Sequence, residues 1–199
     1  MPIIYSKISS EPAAEPVTLA EAKTHLRVDN DDENSLITIL IQAARELVEQ
    51  RTGRSLITQT RVSKLDYFPC GDTILLPNGP VASVTSITYY DEDEVSQTLS
   101  SGDYWVDTSS DIARVVIKES WPSTYPMPNA VTVTYVCGYG ASSSYVPKPL
   151  KQAMYLILGH LYENRQQVIV GTGGISVAEI PYGADVLMSS YILEQSVYY

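Results

Sequence analysis

The strongest constraint on this fold is a change of hydrophobic period that happens twice. Residues 17–54 carry apolar side chains at helical spacing, residues 55–140 carry them in short alternating runs, and helical spacing returns after 147. In the first stretch Thr18-Leu-Ala-Glu21 has the capping-box form, a hydroxyl for the first turn and a carboxylate three residues on to answer it. The short helix it opens sets Leu19, Ala22 and Leu26 on one face. Asp29, Asp31, Asp32 and Glu33 then open a second helix, because carboxylates suit the positive end of a helix dipole. Its stripe is Leu36, Ile37, Leu40, Ile41, Ala44, Leu47 and Val48, and Gly53 is a natural stop. Residues 1–16, with Pro2, Pro12 and Pro16, read as an extended arm.

Between Ser55 and Tyr139 Val, Ile, Thr and Tyr dominate, punctuated by Gly, Pro, Asn and Asp. This predicts strands near 57–67, 73–76, 81–90, 95–99, 104–107, 112–117 and 131–136. The last is the cleanest, with Val131, Val133 and Tyr135 on one face and Thr132 and Thr134 on the other. Asp91-Glu-Asp-Glu94 reads as the solvated tip between two antiparallel strands, and a parity change between Val84 and Ile87 predicts a bulge. The expected unit is antiparallel, a small sandwich or partial barrel.

After Pro147 and Pro149, the stripe Leu150, Ala153, Met154, Ile157, Leu158 and Leu161 marks a third helix. Tyr155, Leu156 and Tyr162 lie off that stripe, so the helix is apolar on a second side, and they are expected to form a subunit interface. Residues 165–180 read as a Gly-rich loop, a hinge around Gly171-Thr-Gly-Gly174, followed by a last short helix near 184–193. The two helical stretches each need a partner, so they are expected to pack together. The fold class is then α+β: a helical bundle from the N- and C-terminal helices (17–54 plus 147–193) with an antiparallel β insertion (55–140).

Charge excludes some functions. Thirteen Lys and Arg against 23 Asp and Glu give −10, and no basic run is present, which argues against a dedicated nucleic-acid binder. No apolar stretch approaches the ~20 residues of a membrane span, and Met-Pro-Ile-Ile-Tyr-Ser-Lys lacks the form of a signal peptide. Cys70 and Cys137, without a nearby Cys/His cluster, point to neither a zinc site nor a disulfide framework, and to folding in a reducing cytoplasm. The 15 Tyr against one Phe suit half-buried sheets and contact surfaces, and 13 of the 15 lie from Tyr89 onward.

Catalytic patterns are missing. His160 and Glu163 stand at i, i+3, a spacing used in carboxylate-bridged metal bundles, but the other helices supply no matching set. Gly171–Gly174 is not followed by Lys-Ser/Thr, and Ser142–Ser144 has no Gly-x-Ser-x-Gly around it. The carboxylate runs 29–33 and 91–94 do not match an EF-hand loop. Tyr89-Tyr90, Tyr104-Trp105 and Trp121 could stack sugars or bases, although packing explains aromatics on strands equally well. No catalytic residue, cofactor site or metal site is assigned, and the chain is expected not to be an enzyme.

Several segments resemble tailed-bacteriophage head–tail connector (adaptor, head-completion) proteins, which also occur in prophages and gene transfer agents. They are Glu15-Pro-Val-Thr-Leu-Ala-Glu-Ala-Lys-Thr-His-Leu-Arg-Val-Asp29, Glu49-Gln-Arg-Thr-Gly-Arg54, Leu76-Pro-Asn-Gly-Pro80, Asp103-Tyr-x-Val-Asp107, His160-x-Tyr-Glu-Asn-Arg165 and Pro181-Tyr-Gly-Ala-Asp185. The resemblance runs in order over about residues 15–191 and implies a virion component, assembled in the host cytoplasm. It implies a ring of copies of the chain, usually dodecameric, between the portal protein and the stopper or tail, with DNA only in transit. In such adaptors the C-terminal helix and tail engage the portal, which here implies a docking segment over 181–199 beginning with Pro181, Tyr182, Gly183 and Tyr191. The family has no catalytic residues to carry over, and the Gly171–Gly174 loop and the Tyr198-Tyr199 end have no counterpart in it. The competing expectation is a β-type binding module of a phage tail or host-recognition apparatus, using Tyr104, Trp105 or Trp121.

Overall fold

The computed structural model describes residues 5–164, 168–171, 174–177 and 181–193. The chain forms two units. One gathers the N-terminal arm up to Ala13 with Gly53–Ala141, the other Ala14–Thr52 with Ser142–Ile192.

The named strands of the first unit all pair antiparallel. Its strands are β1 (Tyr5–Ser10), β2 (Gln59–Leu65), β3 (Thr73–Leu76), β4 (Val81–Tyr90), β5 (Ser96–Thr98), β6 (Tyr104–Asp107), β7 (Ala113–Ile117) and β8 (Val131–Cys137). They make a five-stranded sheet in the order β1-β2-β8-β4-β5 and a three-stranded sheet in the order β3-β7-β6, not closed into a barrel. The expected alternation in β8 is present: Val131, Val133, Tyr135 and Cys137 are buried and the residues between them half-buried. These side chains share one core with Leu65 and Ile87 of the larger sheet and Ile74, Leu76, Val115 and Ile117 of the smaller. The register of β4 on β8 shifts between Val84 and Ser86, the bulge that the parity change anticipates, and again between Val81 and Ser83. The N-terminal arm is extended, and it does more than lead in: β1 is the edge strand of the larger sheet, paired along β2.

One polar group sits at the centre of this unit. The Tyr135 ring is fully buried, and its hydroxyl donates to the Pro77 carbonyl at 2.9 Å, accepts from Ser63 Oγ at 3.2 Å and lies 3.0 Å from Ser6 Oγ. It thereby ties β8 to β1, β2 and the 77 turn, which is how a buried hydroxyl avoids the cost of an unmet hydrogen bond. Gly138, just after β8, has φ +122°, and a Cβ there would fall 2.4 Å from the Ile57 carbonyl oxygen, so only glycine fits.

The second unit holds α1 (Leu19–Leu26), α2 (Asn34–Thr52), α3 (Lys148–Glu163) and α4 (Tyr182–Ser189), with a hairpin of β9 (Val168–Gly171) and β10 (Gly174–Val177) between the last two. The capping box of α1 forms in full: Glu21 N–H donates to Thr18 Oγ1 at 3.2 Å and Thr18 N–H to Glu21 Oε2 at 2.8 Å. The Thr18 N–H, together with the Thr18 hydroxyl donating to the same carboxylate oxygen at 2.9 Å, holds the Glu21 carboxyl below its usual range, with Lys151 of α3 3.1 Å away adding to the effect. Helix α2 buries Ile37, Ile41, Ala44 and Val48 and stops where Gly53 takes φ 66°. The acidic run before it serves differently from expectation. No acidic residue lies in the first turn of α2, and Asp31 instead takes Lys23 at 2.6 Å and the Asn34 amide at 3.1 Å.

Two expectations about the C-terminal part change. The segment around Gly171–Gly174 contains a β-hairpin, with Val168 opposite Val177 and Val170 opposite Ile175. The β-branched residues on either side of the glycines outweigh the glycines themselves. Helix α4 begins at Tyr182, two residues earlier than the 184–193 expected, because Pro181 has the fixed φ that leads into a helix, and it ends at Ser189, four residues earlier. No helix among the described residues is long and apolar enough to cross a membrane.

Candidate functional site

The residues singled out as contact surface lie on α3 and α4. Helix α3 buries Leu150, Ala153, Met154, Ile157 and Leu158 of the stripe read from spacing, while its last member, Leu161, is half-buried. Tyr155, Leu156 and Tyr162, off that stripe, are half-buried, and each meets a different element of its own unit. The Tyr155 ring stands 5.1 Å from the His25 ring of α1. Burial, with Glu21 nearby, raises the pKa of its phenol. The Tyr162 hydroxyl donates to the Glu33 carboxylate just before α2. Leu156 Cδ1 lies 3.4 Å from where a Cβ on Gly183 would stand, an ordinary contact distance between α3 and the start of α4. The second apolar side of α3 is thus partly covered within the chain, which spacing alone cannot foresee.

Helix α4 is the reverse case. Its Ala184 and Met188 are buried, while Tyr182 is 82% exposed and Val186, one turn on, 52%. Ile192 beyond the helix is also about half exposed. Pro181 caps the helix start, and Tyr191 is half-buried, its N–H donating to the Met188 carbonyl at 2.8 Å. Of the four residues expected to begin a docking segment, Tyr182 presents the largest free apolar surface, Gly183 is exposed beside it, and Pro181 and Tyr191 bound the helix. Val186 and Ile192 were missed by sequence reasoning, although Tyr182 and Val186 stand at i, i+4 and so share a face. Residues 194–199, the rest of that expected segment, lie outside the described residues.

The aromatic residues of the alternative binding module are largely committed to packing. Tyr104 is buried. Trp121 stacks on Phe68 at 4.7 Å and donates its indole N–H to the Gly71 carbonyl at 2.8 Å, with Tyr89 edge-on to the same Phe68. Trp105 alone of the three is exposed, with Lys118 Nζ 5.4 Å from its ring centre. A stacking platform for a sugar or base needs several free faces, and two of its three rings are occupied.

Reactive chemistry finds no better footing. His160 Nδ1 faces the Asn164 amide at 3.3 Å, while Glu163 is exposed. Among the described residues no three His, Cys, Asp or Glu side chains gather as a metal site would require. A buried charged cluster is structural in form: Arg45, nearly inaccessible, reaches Glu15 at 3.0 Å, Glu49 at 3.2 Å and Glu46 at 3.6 Å. Burial raises the Glu15 pKa even against the Arg45 guanidinium. Cys70 and Cys137 are both free thiols, the first exposed and the second buried.

Comparison with known proteins follows this geometry. Residues 16–118 match the family described as phage gp6-like head–tail connector protein. Among solved structures, a chain of the neck of an empty GTA particle computed with C6 symmetry superposes with TM-score 0.79 at 23% identity, covering 96% of each chain. A chain of the virion of a native gene transfer agent (GTA) particle gives the same values. A chain of the neck of a native GTA particle computed with C12 symmetry gives TM-score 0.72 at 23% identity, covering 95% of this chain and 96% of that one. These likenesses establish the shared α+β fold. A comparison with curated proteins returns no match.

Proposed function

The chain belongs to the phage gp6-like head–tail connector family, and from that premise we propose that it is a ring-forming adaptor seated between the portal protein and the stopper or tail. A head–tail connector is a structural part of the virion, so the role of this chain is to join other parts, and we read it as non-enzymatic. The finer reading is that copies of the chain close into a ring, a dodecamer in the virion, whose C-terminal segment docks on the portal. DNA passes through as cargo. The −10 charge supports this, since a wall that repels phosphate lets DNA slide rather than bind.

The observation that carries the docking reading is the free apolar face of α4. A buried inner face with Ala184 and Met188 keeps the helix folded, while Tyr182 and Val186 are left to water. An exposed aromatic with an aliphatic neighbour one turn away is the kind of anchor that dominates protein interfaces. In this reading Pro181 and Gly183 place the helix, Tyr182 and Val186 insert into the portal, and Tyr191 leads the chain onward. The remaining exposed parts of Tyr155, Leu156 and Tyr162 contribute to lateral contact between copies.

The test is binding of the full chain to its purified portal. Tyr182→Ser should weaken it at least about tenfold, as loss of an interface anchor does, with the fold unchanged by circular dichroism. Unchanged affinity for both Tyr182→Ser and Val186→Ser would remove α4 from the portal contact.

A further inference from the structure

The lateral contact between copies has a second determinant in the β unit, and the case for it rests on the ring reading above. In an antiparallel sheet, residues paired across strands point to the same face. The pairing Lys64–Thr132–Thr88–Thr98 therefore runs as one row across four strands, opposite to the buried face of Leu65, Val131 and Val133. A neighbouring row starts at Lys7 and Val62 and continues through Thr134 and Ser86. Neither row contains a carboxylate, in a chain that carries 23 of them.

The lysines lie on β1 and β2, at one side of the sheet. Lys7 is exposed and Lys64 half-buried, and no described residue forms an ion pair with either. At the other side, four strand spacings or roughly 19 Å away, β4 turns into β5 through Asp91-Glu92-Asp93-Glu94. Asp91 is spent on the turn itself, accepting from Val95 N–H at 2.9 Å, Asp93 N–H at 3.1 Å and the Gln97 amide at 2.7 Å. That fixes the tip in shape while Glu92, Asp93 and Glu94 stay exposed and without ion pairs among the described residues.

We propose that this sheet is polarised for head-to-tail contact between copies: the Lys7 and Lys64 side of one copy receives the acidic β4–β5 tip of the next. The occupant is a second copy of this chain, which carries the complementary charge itself. Two molecules of net charge −10 repel unless an acidic element meets a face free of carboxylates, and this chain presents both. Because the two elements lie at opposite sides of one sheet, a head-to-tail arrangement lets each copy use one of them toward either neighbour. The contact is heterologous, the kind that repeats around a ring when its rotation closes. The hydroxyls of the threonine rows supply donors and acceptors between the two lysines and the tip.

The test is assembly of the full chain on its portal, followed by sedimentation velocity and electron microscopy. Lys7→Glu/Lys64→Glu should raise the half-assembly concentration about tenfold or more, and so should Glu92→Lys/Glu94→Lys. Mixed in equal amounts, the two variants should recover assembly, because alternation makes every contact complementary again. Lys7→Gln/Lys64→Gln, which adds no charge to the fold, should shift assembly in the same direction by less. If rings form and ignore both reversals, or if mixing fails to restore them, the sheet contact is overturned and the ring reading stands. If the unaltered chain forms no ring with or without the portal, both are overturned.

Discussion

The β unit and the C-terminal helix use the same side chain in opposite ways. Tyr135 is 0% exposed, its hydroxyl shared among Ser6, Ser63 and Pro77, and its ring is a piece of the core joining two sheets. Tyr182 is 82% exposed on a helix whose inner face is already satisfied by Ala184 and Met188. The first placement spends the residue on folding and the second keeps it for a partner. A tyrosine-rich, phenylalanine-poor composition therefore serves both ends, with tyrosines such as Tyr155 and Tyr162 half-buried between them.

That contrast predicts a graded set of responses. Tyr135→Ala removes both the ring and the hydroxyl hub, and should destabilise by about 3–5 kcal/mol in urea unfolding. A loss below about 1 kcal/mol would mean that the hub is not central. In the helical unit, Arg45→Ala strands Glu49 and Glu15 without their shared cation. It should cost roughly 3 kcal/mol, with loss of amide protection appearing first in α2. Thr18→Ala removes one half of the capping box and should cost about 1 kcal/mol, read as a lower melting temperature. Tyr182→Ser should change stability by less than about 0.5 kcal/mol, since an exposed residue contributes little to the fold, while portal binding falls. A large stability loss there would show Tyr182 to be part of the core.

The smallest effect concerns pH. Asp107, at the end of β6, is held down to about 2 by the Ser109 hydroxyl and N–H, with Arg114 2.8 Å away. A depressed carboxyl contributes stability above its unfolded pKa, near 3.9, that is lost as pH falls toward 2. Asp107→Asn should flatten the acid limb of the stability curve in that window and leave neutral pH nearly untouched.

Much of this was legible in the sequence where the signal is local. The Thr18–Glu21 box, the α2 and α3 stripes, the β8 alternation and the bulge at Val84–Ser86 need only neighbouring residues to be read. What was not legible depends on distant partners. The arm at Tyr5–Ser10 becomes a strand because β2 offers an edge to it, and nothing in the arm itself announces that. Asp31 looks like a dipole residue until Lys23 takes it. The hairpin at Val168–Val177 was hidden because its glycines speak more loudly than the five β-branched residues flanking them. Tyr155, Leu156 and Tyr162 looked uncovered because their intrachain partners, His25, Gly183 and Glu33, lie far off in sequence or on another element. Conversely, spacing started the last helix at 184 and left Tyr182 before it, so it could not say that Tyr182 stands on the free face of α4.

The most direct test of the central claim is cryo-electron microscopy of the full-length chain mixed with its purified portal. The account predicts a ring coaxial with the portal, with α4 inserted into the portal surface and the acidic β4–β5 tip of each copy against the lysine-bearing strands of the next. Failure to bind the portal at any concentration would contradict it, as would a ring in which Tyr182 and Val186 face solvent.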